Sequence, residues 1–402
     1  MSFQPPKGTD DVLAPESQAW RETLRLWEHW SERYGYPMIS LPVFEATELF
    51  ERGVGETTEV VTKQMYTFTD RGDRSMSLRP EGTAGAVRAY LNSGQRGVWK
   101  GSYSGPFFRY ERPQAGRRRQ FWQVGVEYLG TGSPVADIEV IELGHRFISG
   151  SGLDQVALKL NSIGDPVCRP GYVEALRAHL RAIASELAED SVELIDRNPL
   201  RVLDSKMDAA TLADAPRTLD YLCDPCAEHF AAVKRGLEAL DVPYEEDASL
   251  VRGLDYYTRT AFEYVATGLD AAQNAVGGGG RYDGLAEAIG GRATPGVGFA
   301  LGIDRIMLAL GDPHRPYLDA YLVSETTPEE ALRAVSELRS RGLRVDFDAE
   351  GRSVKAQFRT AGRLEVPVVL VWKGDGSPVD VQTEDGRAQM PLQEVSGWFN
   401  RR

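Results

Sequence analysis

The sequence contains little cysteine, no long apolar run and no excess of positive charge. Only three of its 402 residues are cysteine, so we expect no disulfide framework, which fits a reducing compartment. Residues 1–17 lack the apolar segment that a secretory signal requires, and the apolar stretch VPVVLVW at 366–372 is far too short to span a bilayer. We therefore expect a cytoplasmic protein that has no contact with a membrane.

The formal net charge of −13 argues against a protein that binds nucleic acid through an overall basic surface. Any such contact must come from a local patch, and RYERPQAGRRR at 109–119 is one, with five arginines and one glutamate. A solvated loop is the ordinary explanation of such a run. In an acidic chain, the local excess of positive charge favours an anionic ligand. The arginines are Arg109, Arg112, Arg117, Arg118 and Arg119.

The order of predicted elements divides the chain into two domains. Helices and strands are mixed up to residue 316, except at about 165–240, where mostly helical and charged sequence indicates an insertion. LVRGLDYYTRTAFEYV at 250–265 is typical of a strand that returns to the first domain. Residues 317–402 change to a β-α-β-α-β order, which predicts a separate small α/β domain.

One predicted strand, QFWQVGVEYLG at 120–130, carries an unusual face. With a period of two, one of its faces is apolar and suits a core. The opposite face alternates Gln123, Gly125 and Glu127, which resembles neither a charged exposed face nor an apolar buried one. We interpret this face as the floor of a site for a small polar ligand, with Gly125 leaving space. An ordinary exposed face with one glycine remains the alternative.

The glycine-rich segments do not form a recognised phosphate-binding loop. GGGG at 277–280 matches neither the GxGxxG pattern nor a GKS/T loop. Arg305 stands near the predicted start of a helix, where a cation opposes the helix dipole, and this favours an anionic partner. A surface arginine paired with the neighbouring Asp304 is the alternative. Phosphate groups would therefore be held by arginines.

Three cysteines and a histidine raise the question of a metal site. Cys223, Cys226 and His229 follow a C-x2-C-x2-H spacing, and Cys168 is available as a fourth ligand, a combination that structural zinc accepts. Cys168 is distant in sequence, however, and YLCDPCAEHF is also typical of the start of a helix. We expect no metal, with zinc as the alternative.

Five segments, in the same order along the chain, resemble those of histidyl-tRNA synthetases. RGLDYY and GGRYDGL are peculiar to the histidine enzyme and its close paralogues, whereas FRYE and GIDR are shared by class II synthetases. The resemblance covers nearly the whole chain. The segments are LRPEGTA (78–84), FRYERPQAGRRRQFWQVGVE (108–127), RGLDYYTRTAFE (252–263), GGGGRYDGL (277–285) and GVGFALGIDR (296–305).

The resemblance implies a fold and an activity. Residues 1–316 would be an α+β catalytic domain, an antiparallel sheet flanked by helices, with the helical insertion at about 165–240. Residues 317–402 would be a C-terminal α/β anticodon-binding domain. The activity would be attachment of histidine to tRNA(His) through a histidyl-adenylate, with ATP as a substrate together with Mg²⁺ and no tightly bound cofactor. The first helix and YPMISLPVFE at 36–45 would form the interface of a homodimer.

The resemblance also implies roles for individual residues. The catalytic residues would be Arg252, Arg109 and Glu81. Histidine would be bound by Glu81, Thr83, Arg109, Gln123, Glu127, Arg252, Tyr256, Tyr257 and Tyr282. ATP would be bound by Arg109, Glu111, Phe121 and Arg305. The acceptor end of the tRNA would contact Arg112, Gln114 and Arg117. Arg252 is assigned to the point where the histidine carboxylate meets the α-phosphate.

A non-charging paralogue, the regulatory subunit of ATP phosphoribosyltransferase, is the alternative that the resemblance leaves open. Such paralogues typically lack the C-terminal domain and lose catalytic residues, whereas this chain has a predicted C-terminal domain and the catalytic residues named above. Two positions depart from the family pattern, since Asp304 stands where glutamate is common and Trp122 where histidine is frequent.

Overall fold

The computed structural model describes residues 3–55, 58–205, 207–251, 254–269, 274–311 and 316–401. Contacts divide these residues into two compact units, one of residues 3–11 and 22–311 and the other of residues 12–21 and 316–401. Arg252 and Gly253, which are central to the expected chemistry, lie outside the described residues. None of the helices in these ranges is long and apolar enough to cross a membrane.

The regular elements of the described residues alternate along much of the chain. The strands are β1 Phe44–Ala46, β2 Thr67–Thr69, β3 Ser75–Leu78, β4 Trp99–Phe108, β5 Gln120–Leu129, β6 Val156–Ser162, β7 Glu245–Glu246, β8 Thr258–Ala266, β9 Ala275–Arg281, β10 Gly296–Gly302, β11 Ala320–Ser324, β12 Val345–Phe347, β13 Val369–Trp372, β14 Val379–Thr383 and β15 Gly386–Met390. The α-helices are α1 Glu16–Arg33, α2 Thr47–Val54, α3 Thr83–Asn92, α4 Pro134–Gly150, α5 Arg169–Ala182, α6 Glu189–Arg197, α7 Asp224–Ala239, α8 Leu285–Ala288, α9 Ile303–Leu310, α10 Pro328–Ser340, α11 Val354–Arg363 and α12 Leu392–Phe399. Shorter segments are a π-helix at Val60–Gln64 and 3₁₀ helices at Ala184–Glu186, Pro199–Asp204 and Thr218–Tyr221.

Seven strands form the main sheet of the larger unit, in the order β4-β5-β10-β9-β8-β6-β7. Neighbouring strands are antiparallel except β6 and β7, which are parallel. Helices α1 and α4 pack with this sheet, because the ring of Trp27 lies 5.3 Å from that of Phe147 in α4 and 5.9 Å from that of Phe299 in β10. The expected antiparallel sheet flanked by helices is therefore confirmed.

The strand predicted at 250–265 is shorter than its composition suggests. Within the described residues it begins at Thr258, and residues 254–257 form a turn instead. Arg259 adopts φ +52°, and the pairing of β8 with β9 shifts register between Thr258 and Ala261. Such a bulge breaks the strict alternation of side chains. The prediction of one continuous strand was wrong, and Tyr256 and Tyr257 lie before the first residue of β8, outside the ladder.

The segment between β6 and β8 is largely helical and has a small core of its own. Helices α5 and α6 and the 3₁₀ helix that follows pack around buried apolar side chains. Helix α7 is tied to α4, because Nε2 of His229 lies 3.2 Å from Oδ1 of the buried Asp137. The core side chains are Tyr172, Leu176, Leu180, Ile195, Val202 and Leu212.

The larger unit also contains a three-stranded sheet in the order β1-β3-β2. The turn between β2 and β3 is held by Oδ1 of Asp70, which accepts hydrogen bonds from the backbone N–H of Gly72 at 2.8 Å and of Arg74 at 3.0 Å. The sheet exposes apolar side chains. Phe44 and Phe68 are 53% and 42% exposed, with ring centroids 6.2 Å apart.

The smaller unit contains a five-stranded mixed sheet in the order β12-β11-β13-β14-β15. Its first part is the predicted β-α-β-α-β unit, with β11 parallel to both β12 and β13. The capping box that begins α10 is present, since Thr327 Oγ1 accepts from the N–H of Glu330 and Glu330 accepts from the N–H of Thr327. The antiparallel hairpin β14–β15 and helix α12 were not predicted.

Candidate active site

An open pocket of about 920 Å³ lies on the main sheet of the larger unit. Its floor is backbone-rich, because Gly277, Gly278, Ala300 and Gly302 of β9 and β10 line it. The predicted site residues that line it are Glu81, Thr83, Arg109, Glu111, Arg117, Phe121, Gln123, Tyr256, Tyr257 and Arg305.

Glu127 lies beneath this pocket and is fully buried. Its Oε1 accepts hydrogen bonds from the hydroxyls of Thr83 at 2.8 Å and Tyr103 at 3.2 Å, and its Oε2 accepts from the hydroxyl of Tyr282. Burial raises the pKa of Glu127 to about 8, although these three donors act in the opposite direction. Among the described residues, then, Glu127 reaches the pocket through Thr83, which does line it.

The space above Gly125 is occupied by the protein itself. A Cβ at Gly125 would lie 2.5 Å from the hydroxyl oxygen of Tyr103, its cross-strand neighbour in β4. The interpretation that Gly125 leaves room for a ligand was therefore wrong. Sequence reasoning missed Tyr103, although a large residue facing a strand glycine is a recognisable pairing. A second close approach lies at Gly298, where a Cβ would be 2.0 Å from Oε2 of Glu127.

Glu81 holds the beginning of α3 and lines the pocket at the same time. Its Oε2 accepts from the backbone N–H of Thr83 at 2.7 Å and its Oε1 from that of Ala84 at 3.0 Å, which satisfies two donors of the first helical turn. Burial raises the pKa of Glu81, and the two backbone donors oppose this shift. Each carboxylate oxygen keeps a further lone pair for a ligand.

Three tyrosines surround this acidic end of the pocket. The ring centroid of Tyr256 lies 4.6 Å from that of Tyr257 and 5.7 Å from that of Tyr282, the latter in an edge-on arrangement. Tyr256 and Tyr257 line the pocket, whereas Tyr282 lies behind it with its hydroxyl on Glu127. Gln123 adds a polar group, because its buried Oε1 has no hydrogen-bond partner among the described residues.

The other end of the pocket is cationic. Arg109 donates to the carbonyl of Pro80 at 2.9 Å and lies 5.4 Å from the ring centroid of Phe121. Arg305 donates to the carbonyls of Gly116 and Ala275. Burial lowers the pKa of Arg305, and the nearby positive charges of Arg117 and Arg109 lower it further. Mutual repulsion of this kind favours an anion between the guanidinium groups.

Asp304 does not neutralise Arg305. Its Oδ2 accepts from the backbone N–H of Trp122 at 2.7 Å, and its Oδ1 lies 3.1 Å from Nη1 of Arg118. The alternative of a surface pair between Arg305 and Asp304 is therefore not observed among the described contacts. Arg118 is also tied to Asp10, with Nε 3.0 Å from Oδ2. The short aspartate thus fixes the arginine-rich loop to the sheet.

The remaining loop residues divide into anchored and exposed side chains. Arg119 packs over the ring of Tyr110 at 3.8 Å and donates to the carbonyl of Glu111 at 3.2 Å. The three residues predicted to meet tRNA, Arg112, Gln114 and Arg117, are exposed at the turn of the loop. Among the described ion pairs, Arg117 is the one of these three residues that has a charged partner, with Nη1 at 3.7 Å from Oε2 of Glu111.

The four residues considered for zinc are not brought together. His229 contacts Asp137, whereas Cys168, Cys223 and Cys226 converge on Asp165, with all four ligand atoms within 4.8 Å of one another. The sequence thus indicated three members of this cluster and the wrong fourth.

A family model described as histidyl-tRNA synthetase matches residues 8–306, and one described as an anticodon-binding domain matches residues 320–376. The chain belongs to the histidyl-tRNA synthetase family. The expected family, the class II fold and the C-terminal anticodon-binding domain are thereby confirmed. The roles assigned to individual residues, and Arg252 above all, remain predictions for this family member.

Relatives named histidine–tRNA ligase match over nearly the full chain. The protein of Halothermothrix orenii is 46% identical over 385 residues, covering 92% of this chain and 91% of its own. That of Picosynechococcus sp. is 46% identical and covers 98% of this chain and 94% of its own. Among solved structures, apo S. aureus histidyl-tRNA synthetase is 34% identical with a TM-score of 0.77, covering 99% of this chain and 100% of that one.

Proposed function

We propose that this chain attaches histidine to tRNA(His) in two steps. The first forms histidyl-adenylate from histidine and ATP, and the second transfers the histidyl group to the tRNA. One observation carries the proposal: a single pocket joins an acidic, tyrosine-lined end to an end lined by Arg109, Arg117 and Arg305. A cationic amino acid and a polyphosphate would meet where the two ends join. A histidine–tRNA ligase needs such a meeting point.

The acidic end supplies the groups that histidine requires. Glu81 and Thr83 would hold the α-ammonium through charge-assisted hydrogen bonds. Gln123, whose buried oxygen has no partner among the described residues, would accept a further donor of the amino acid. The imidazole would be enclosed by Tyr256, Tyr257 and Tyr282. Glu127 would set the protonation of the imidazole and orient the hydroxyl groups that donate to Glu127. An analogue without these hydrogen-bonding groups would leave buried polar groups of the site unpaired, which lets such a site reject it by a factor of ~10⁴ or more.

The cationic end suits ATP. Arg109 would bind the α-phosphate, Phe121 would stack on adenine, and Arg305 would cover the opposite face of the base near the γ-phosphate. The donor set also fits Mg²⁺, because Glu111 and Glu263 place carboxylates in the same lining and Mg²⁺ binds through one or two carboxylates plus substrate phosphates. When bound, Mg²⁺ neutralises charge that develops on the transferring phosphoryl group.

Arg252 completes the proposed chemistry, although it lies outside the described residues. It would bind the histidine carboxylate and the α-phosphate together and so reduce the repulsion between nucleophile and electrophile. A preorganised cation at that point acts mainly on the transition state. Its position two residues before the turn at 254–257 keeps it close in sequence to the tyrosines of the pocket.

The tRNA would bind at two places. Arg112, Gln114 and Arg117, exposed on the loop at the cationic end, would contact the acceptor end, and residues 317–402 would bind the anticodon. The active form would be a cytoplasmic homodimer, since the exposed Phe44, Phe68 and Met38 (78% exposed) offer an apolar surface for a second copy.

Two assays test this function. Purified protein should catalyse histidine-dependent exchange between ATP and pyrophosphate, and it should charge purified tRNA(His). If the protein catalyses both the exchange and the charging of tRNA(His), the results support the synthetase function. Absence of both, together with stimulation of an ATP phosphoribosyltransferase, would support the regulatory paralogue instead.

A further inference from the structure

We propose that Asp165, Cys168, Cys223 and Cys226 form a structural zinc site at the base of the helical segment between β6 and β8. The four ligand atoms all lie within 4.8 Å of one another. They come from two distant segments, one just after β6 and the other at the beginning of α7. This cluster is separate from the pocket that holds the proposed substrates, because none of the four residues lines that pocket.

Two distances between the ligand atoms are close to the edges of a tetrahedral zinc site. Zn–S bonds of about 2.3 Å and Zn–O bonds of about 2.0–2.2 Å place neighbouring ligands roughly 3.5–3.8 Å apart along the tetrahedral edges. Oδ1 of Asp165 lies 3.5 Å from Sγ of Cys168 and 3.9 Å from Sγ of Cys223. A single ion could therefore be bound with little movement of the chain.

The surrounding backbone supports thiolate ligands. The N–H of Asp165 points to Sγ of Cys168 at 3.3 Å, and Cys223 stands at the N-terminus of α7, a helix of 16 residues, where the dipole favours negative charge. Gly164 leaves room for the side chain of Cys168, because a Cβ at Gly164 would lie 2.8 Å from Sγ of Cys168. Gly164 also adopts φ +67°, which favours glycine. Outer-shell donors of this kind orient metal ligands.

The chemistry of the set favours zinc over a dithiol redox pair. A redox pair needs two sulfurs, whereas here a third sulfur and a carboxylate oxygen complete four positions. Cysteine thiolates and aspartate oxygens are both ligand types that zinc accepts, and structural zinc sites are closed sets of four. Arg259 offsets part of the negative charge, with Nη2 at 3.4 Å from Oδ2 of Asp165.

The site also lies next to the segment that carries Tyr257. Arg169, which follows Cys168 directly, donates to the carbonyls of Gly164 at 3.0 Å and of Tyr257 at 2.6 Å. The N–H of Arg259 donates to the carbonyl of Gly164 at 2.7 Å. A bound ion would hold the start of the helical segment, the start of α7 and the bulge of β8 as one unit.

The test is the metal content of the full-length protein, purified without chelators and with reduced thiols, and measured by inductively coupled plasma mass spectrometry. We expect roughly one zinc per chain in the wild type. Cys223→Ser and, as a second variant from the other segment, Cys168→Ser should each hold less than about a tenth of that amount. The matched control is His229→Gln, which removes the histidine of the C-x2-C-x2-H spacing and should keep its zinc.

Cobalt(II) provides a readout that does not depend on activity. The wild type and His229→Gln should show the sulfur-to-cobalt charge-transfer band and the visible bands of a tetrahedral thiolate site. Asp165→Asn should still bind cobalt but at least ~10-fold more weakly in competition with a chelator, the cost known for loss of even outer-shell partners.

Three results would overturn the proposal. One is a folded, reduced wild type that takes up no stoichiometric zinc when Zn²⁺ is added. The second is a Cys223–Cys226 disulfide in the purified protein in place of metal. The third is zinc binding that Cys223→Ser and Asp165→Asn leave unchanged, which would mark the ion as adventitious.

Discussion

Replacement of Glu127 by glutamine should weaken histidine binding far more than ATP binding. The change keeps the shape of the side chain but replaces one acceptor oxygen by an NH₂ donor. Glu127 accepts from three hydroxyls, those of Thr83, Tyr103 and Tyr282. At pH 9, above the raised pKa of about 8, the wild-type carboxylate is charged, and a glutamine there loses that charge and places a donor against at least one of these hydroxyl groups.

The expected magnitude follows from the hydrogen bonds that are lost. Hydrogen bonds to a charged group contribute about 1.5–3 kcal/mol each, and one such loss at the histidine end corresponds to a ~10- to 150-fold weaker affinity. ATP should be affected less than about threefold, because the described hydrogen bonds of Glu127 involve none of the proposed ATP partners Arg109, Phe121 and Arg305.

Isothermal titration with histidine and with ATP measures both affinities directly, and ATP–pyrophosphate exchange gives the KM values. Glu139→Gln is the matched control, because Glu139 also accepts from a tyrosine hydroxyl, that of Tyr36 at 2.8 Å, but Tyr36 does not line the pocket, whereas Thr83, a partner of Glu127, does. Unchanged histidine affinity with weakened ATP binding in Glu127→Gln would refute the assignment of the two ends.

The remaining predictions concern pH, packing, catalysis and the smaller unit. Because burial raises the pKa of Glu127 to about 8, the fold favours the protonated form of this side chain. The free energy of unfolding of the wild type should therefore fall relative to that of Glu127→Gln by up to about 1.4 kcal/mol per pH unit between about pH 5 and 8. Urea unfolding measures this difference, and a difference that does not change with pH would contradict the prediction. Gly298→Ala should abolish histidine activation in a folded protein, because its Cβ would lie 2.0 Å from Glu127, and normal exchange activity would disprove that contact. Arg252→Ala should slow adenylate formation by roughly 10²–10³ in single-turnover assays and spare transfer from preformed adenylate, and the reverse pattern would exclude Arg252 as the activating cation. Deletion of residues 317–402 should spare adenylate formation but cripple charging, and normal charging by the folded truncation would remove the anticodon role.

Much of the site could be predicted from the phase of one strand and from motif resemblance. The alternation around Gln123 and Glu127 indicated a polar site without any knowledge of the fold. The partner of Gly125 could not be found in the same way, because the residue that fills its space, Tyr103, depends on the register between β4 and β5. Which residues of two neighbouring strands face each other depends on the register of their pairing, and the sequence of one strand alone does not determine that register.

Two other errors have local physical causes. Tyr256 and Tyr257 have high strand propensity but lie in a turn before β8, and the bulge at Arg259 interrupts the pairing of the strand that follows. His229 has the spacing of a metal ligand, yet helix α7 turns it toward the buried Asp137. The missed hairpin β14–β15 turns at Glu384 and Asp385, and Gly386, the first residue of β15, is the only glycine signal next to that turn.

The capping of α3 by Glu81 makes one carboxylate part of both a helix and a binding site. The amide protons of Thr83 and Ala84 are bound to the same oxygens that would receive the ammonium of histidine. A ligand charge at Glu81 must therefore alter the strength of those two hydrogen bonds. Hydrogen exchange at two backbone positions thus offers a direct report on occupancy of the amino-acid end, without an attached probe and without turnover.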